Sequence, residues 1–135
     1  MNWDSDRRDV LLAEAFARAE APSVSRGTRR GWQGGIRRFR GVSAALLRQL
    51  VEEGFCDGGQ ESPNAEEVLS FLEACPSFTA HGYAVHPGRR DYRVVLEGVI
   101  ADSTTASERL RFIRTWRYLE DSEVTETGAC YAWFD

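Results

Sequence analysis

The residues of this chain best suited to chemistry are its arginines and its two histidines. Ser23–Gly41, SVSRGTRRGWQGGIRRFRG, holds six arginines, five glycines and no acid, with Trp32, Ile36 and Phe39 set between them. A guanidinium is a planar fork that matches phosphate and carboxylate oxygens, and an aromatic ring offers a face on which a base can stack. Arg29, Arg30, Arg37, Arg38 and Arg40, with Trp32 and Phe39 for stacking, therefore make a candidate anion site. Arg89, Arg90 and Arg93 make a second basic cluster near Tyr83 and Tyr92, suited to a carboxylate or phosphate. The plainer reading pairs these arginines with acids of the C-terminal half and places Trp32 and Phe39 in the core.

His81 and His86 are five residues apart on one expected strand. They point to opposite faces and form no metal pair. His81 is a general-base candidate if it opens into a pocket beside Asp91 or Glu97, with Tyr83 and Tyr92 in the wall. The plainer reading is a histidine hydrogen-bonded within the sheet. GxSxG, HExxH and GxxxxGK[ST] are all absent, so no catalytic residue, metal or cofactor is expected. Cys56, Cys75 and Cys130 are odd in number and widely spaced, without a CxxC pair. They read as reduced, mostly buried thiols.

Composition narrows the class. At 135 residues, 42% hydrophobic and 28% charged, the chain suits one soluble globular domain. All 17 basic side chains are arginine. Residues 1–56 carry ten arginines against seven acids, and residues 57–135 carry seven against fourteen. A net charge of −4 with a basic first half argues against general nucleic-acid coating while leaving room for a local anion site. No apolar run reaches a membrane span, and MNWDSDRRDV lacks a signal core, so the expected location is the cytoplasm, away from membrane.

The elements that must position these residues are an α+β set. Trp3–Ala21 reads as a helix capped by Ser5 or Asp6, with Leu12, Ala15, Phe16 and Ala19 on one stripe and Pro22 at its end. Residues 22–42 read as a connector with one short turn near Ile36–Arg40, because glycine at that density disfavours a helix. Ser43–Glu53 is a helix with Ser43 as N-cap, Leu46, Leu47, Leu50 and Val51 inward, Gly54 as left-handed cap and Phe55 folded back. A third helix starts at Ser62-Pro63 and buries Val68, Leu69, Leu72 and Cys75.

The centre is a hairpin. Phe78–His86 and Tyr92–Ile100 are aromatic and β-branched, joined through Pro87-Gly88. Ala80, Gly82 and Ala84 form a small-residue face that admits a packed helix or a close ligand. In the second strand, Tyr92, Val94, Leu96 and Ile100 are expected on one face and Arg93, Val95, Glu97 and Val99 on the other. Thr105 and Glu108 fit a capping box that opens a fourth helix with Phe112, Ile113, Trp116 and Leu119 on one face, although Leu110, Phe112, Trp116 and Tyr118 also alternate as in a strand; the cap decides for the helix. Asp121–Gly128 reads as an acidic loop, and Ala129–Phe134 as a strand pairing with the hairpin. The expected architecture is three N-terminal helices, then a small antiparallel sheet with helices packed on one face.

Three functions follow in order. The first is a protein-interaction or regulatory module, self-association included, since Trp and Arg populate interface hot spots. The second is nucleic-acid or phosphate-ligand binding through Arg26–Arg40. The third is a small-molecule enzyme or binder with His81 in its pocket.

Overall fold

The computed structural model describes residues 3–20 (3–6 as backbone), 35–56, 64–85, 94–119 and 121–134. Among these residues four helices and five strands follow the order α1 (Trp3–Glu20), β1 (Ile36–Val42), α2 (Ala44–Glu52), α3 (Ala65–Ala74), β2 (Thr79–Val85), β3 (Val94–Ala101), α4 (Ala106–Trp116), β4 (Ser122–Val124) and β5 (Cys130–Trp133). The strands form one antiparallel sheet ordered β1-β2-β3-β5-β4. The protein is therefore α+β, with one strand inserted between the first and second helices.

The helices form where apolar periodicity and caps agree. In α1, Leu12, Ala15, Phe16 and Ala19 are all buried, so the 3.6-residue stripe faces the core. The helix begins at Trp3, ahead of both residues expected to cap it. Ser43 caps α2 by accepting from Leu46 N at 3.2 Å. Gly54 takes φ 82° after it, and Phe55 folds back to donate to Leu50 O at 2.9 Å. In α3 the cap is Asn64, which accepts from Glu67 N at 2.9 Å; the Ser62-Pro63 pair lies outside the described residues. Val68, Leu69, Leu72 and Cys75 are buried there as expected.

Two expected loops contain strands. The segment near Ile36–Arg40 is not a turn: Ile36–Val42 pairs with β2 along its length. Few apolar residues point inward here, only Phe39 and Val42, because Arg37 takes an inner position and lays its guanidinium over the Phe16 ring at 4.3 Å. Within the acidic loop, Ser122–Val124 pairs with β5.

Register determines which residues are core. In β3 the pairing passes from His81↔Gly98 to Gly82↔Leu96, which leaves Glu97 as an extra residue. Strand side chains alternate, so one inserted residue reverses the faces beyond it. Val94, Leu96 and Val99 therefore share the inner face, and Ile100 moves outward with Val95, contrary to strict alternation. The small-residue face is inner: Ala80 and Ala84 are fully buried against the core, so close packing, not a ligand, uses that space. Phe71, Phe78, Phe112 and Trp116 fill the core, with Phe78 stacked on Phe112 at 5.4 Å and Phe71 edge-on to Phe78 at 4.8 Å. Ile113, expected inside α4, is 47% exposed; it lies about 100° around the helix from Phe112.

The capping box of α4 also ties the helix to the turn before β2. Glu108 Oε1 accepts from Thr105 N at 3.0 Å and Ser77 Oγ at 2.8 Å, and Oε2 accepts from Ser77 N at 3.0 Å. Burial pushes this carboxyl's pKa up, but the hydrogen bonds from Thr105 and Ser77 outweigh it and hold the pKa below the usual range. A depressed carboxylate pKa stabilises the fold above its unfolded value and loses that contribution as pH falls through the folded value. Glu108→Gln is expected to cost about 1–2 kcal/mol at pH 7. Urea melts should show the gap to wild type narrowing below about pH 4; a gap independent of pH would contradict this role.

Candidate functional site

The sheet places the proposed site residues on two different faces. Arg37↔Ala84 and Phe39↔Gly82 pair on the inner face, whereas Arg38↔Tyr83 pairs on the outer one. Arg37 is committed inward: Nε and Nη2 each donate to a Glu20 carboxylate oxygen at 3.0 Å. Phe39 is 2% exposed and edge-on to Phe16, so it is core. Neither is available for an external anion. Arg29, Arg30, Trp32, His86, Arg89, Arg90, Tyr92 and Arg93 lie outside the described residues.

The outer face brings Arg38, Arg40, His81 and Tyr83 together, and adds residues that were not expected. Gly98↔Trp133, Ile100↔Tyr131 and Glu123↔Tyr131 extend that face across β3, β5 and β4. Trp133 and Tyr131 are two residues apart in β5 and stand 38% and 39% exposed. The sequence signal was present in the alternation of Cys130, Tyr131, Ala132 and Trp133; a strand there must turn both rings the same way.

His81 sits at the centre. On one side, β1 has its own extra residue: the register passes from Phe39↔Gly82 to Val42↔Ala80, so Arg40 and Gly41 together oppose His81. On the other side, Glu97 is the extra residue of β3. Both bulges thus flank one histidine, and bulges re-aim side chains. Gly98 leaves room for the ring: a Cβ there would meet His81 Nε2 at 2.6 Å. The imidazole leans across that gap to within 4.9 Å of the Trp133 ring centroid.

Charge on this face is divided by strand. Arg38 and Arg40 stand on β1, with Arg38 ion-paired to Glu97. Glu123 stands on β4, where it accepts the Tyr131 hydroxyl, and Asp121 precedes it. Hydrogen bonding to Glu123 and its charge, with that of Asp121, push the Tyr131 phenol pKa up. Burial and then the positive fields of Arg40 and Arg38 lower the His81 pKa to about 4. Among the described residues no group hydrogen-bonds the His81 ring, so the expectation of a histidine bonded within the sheet is not met.

Other sites are weaker. A cavity of about 430 Å³ lies between α2, α3 and β2, with Ser43, Leu72, Pro76 and Thr79 in its wall, and His81 does not line it. Burial pushes the Cys75 and Cys130 thiol pKa values up, which keeps them protonated and unreactive. Among the described residues no group of three or more His, Cys, Asp or Glu is placed to hold a metal ion, and no helix is long and apolar enough to cross a membrane. The outer side of α4 is a second exposed surface: Leu110, Ile113 and Arg114 stand on one stripe, beside Arg111 and Arg117, which are also exposed.

Comparison with protein families, with curated proteins and with solved structures finds no match. Function therefore has to be read from the geometry of the outer face.

The His81 environment makes a pH prediction. A histidine whose folded pKa is depressed opposes protonation, so stability is complete above the unfolded value and falls as pH drops from about 6.5 toward 4. The loss is expected to approach about 3 kcal/mol at the acid end of that window. Chemical denaturation of wild type and His81→Gln at pH 7, 5.5 and 4.5 tests this: the variant should lose much of that slope, whatever its constant offset. Parallel pH profiles would refute it.

Proposed function

We propose that this protein is a protein-interaction module that docks a partner protein on the outer face of its sheet. The observation that carries the reading is the pair of half-exposed rings, Tyr131 and Trp133, beside His81 and Tyr83 on a rigid sheet. Aromatic side chains and arginine are the types enriched at the centres of protein interfaces, where they bury large area at low entropic cost. Ordered strands also hold these rings in place before a partner arrives, so less is lost on association.

A nucleic-acid reading has rings and two arginines in its favour. Against it, Glu97, Asp121 and Glu123 share or border the same face and repel phosphates, and Arg37 is occupied by Glu20. An enzyme with His81 as general base is also disfavoured. An imidazole with a pKa of about 4 is a weak base at neutral pH, and the carboxylate beside it in the sheet, Glu97, is ion-paired to Arg38.

A photo-reactive amino acid placed at position 131 in living cells tests the proposal, with the same residue at Val10, 68% exposed on α1, as comparison. Position 131 should give a discrete protein adduct, and Trp133→Ala should reduce it about tenfold or more, the loss expected on removing a central tryptophan. Equal products from both positions, or none from position 131, would sink the reading. Salt-sensitive binding of a labelled oligonucleotide that vanishes in Arg38→Ala/Arg40→Ala would replace it with the nucleic-acid one.

A further inference from the structure

The charge layout of the outer face identifies the partner. We infer that it is a second copy of this chain, packed face to face about a two-fold axis that runs parallel to the strands over β3. This rests on the protein-docking reading of that face and adds the occupant.

The strand order β1-β2-β3-β5-β4 puts β3 at the midline. Arg38 and Arg40 mark the β1 edge of the face, and Asp121 and Glu123 mark the β4 edge. A two-fold axis lying between two such faces has two simple settings. An axis perpendicular to the strands sets β1 over β1 and β4 over β4, so like charges meet at both edges. An axis along the strands sets the basic edge of each copy over the acidic edge of the other, twice by symmetry. The same rotation lays β5 over β2 at an unchanged level along the strands, which brings Trp133 of each copy onto His81 of the other and Tyr131 onto Thr79. Aromatic groups then meet at the centre and opposite charges at the rim, the usual anatomy of an interface.

Size sets the strength. Five strands at about 4.8 Å spacing and about five residues of 3.3 Å rise give a face of roughly 400 Å² in projection. That is about half the roughly 800 Å² per partner of a stable interface, so a weak dimer that dissociates in the micromolar range or above is expected.

Sedimentation velocity at low salt reads this out. Wild type should pass from monomer to dimer between about 1 and 300 µM, and the dimer should weaken as salt rises. Asp121→Arg/Glu123→Arg and Arg38→Glu/Arg40→Glu should each weaken self-association about tenfold or more. Exchanging both pairs in one chain should restore it, and mixing the two double variants should give a heterodimer. Because Arg38 also pairs with Glu97, Arg40→Glu alone serves where the double change disturbs folding, as circular dichroism would reveal. Wild type monomeric throughout, or a dimer indifferent to all these changes, overturns the inference. A monomer whose position 131 cross-links to a different protein overturns the self-pairing and leaves the docking face standing. No cross-link at all removes both.

Discussion

The organisation of this protein depends on two inserted residues that flank one histidine. A strand shows alternate side chains to opposite faces, so a single extra residue exchanges them. Glu97 does this in β3 and the Arg40-Gly41 pair does it in β1, both opposite His81. Without the β3 bulge, Val99 would turn outward and Ile100 would enter the core. Gly41 takes φ 76°, and a Cβ there would come within 2.8 Å of Arg18 Cδ, so α1 sits directly on the distorted part of β1. The outer face and the helix contact are thus two results of the same irregularity.

Arginines connect the elements around that sheet. Arg7–Glu53 joins α1 to the end of α2, and Arg48–Glu73 joins α2 to α3, both on the surface. Exposed pairs of this kind are screened by solvent and contribute little to stability. Arg37 with Glu20 is different in kind. It is bidentate, partly buried and laid over Phe16, so it fixes how α1 crosses β1. Arg8, fully buried in α1, donates to Val85 O at 2.7 Å and ties the same helix to the end of β2.

Much of this fold was legible where local rules act alone. Ser43 and Thr105 are caps, the stripe Leu12–Phe16 is inward, and Cys130–Trp133 joins the hairpin. The site was only half legible. Arg38, Arg40, His81 and Tyr83 were chosen and do share a face, but nothing local separates Arg38 from Arg37; only pairing to β2 does. The strand β1 carries no strand signal in the sequence, because arginine and glycine dominate it and its bulge breaks the two-residue alternation. The outward turn of Ile113 has a related reason. Trp116 and Phe112 are sufficient to anchor the helix, which frees Leu110 and Ile113 to face solvent.

The two border strands also bear on how the protein behaves in a concentrated solution. A sheet edge is a template for adding a foreign strand, and from there for aggregation. Here one border, β1, carries three arginines within seven residues and a bulge, and the other, β4, is three residues long with a glutamate in the middle. Both borders therefore resist edge-on extension of the sheet. The protein can expose tryptophan and tyrosine on its sheet face while the two borders resist amyloid-like growth.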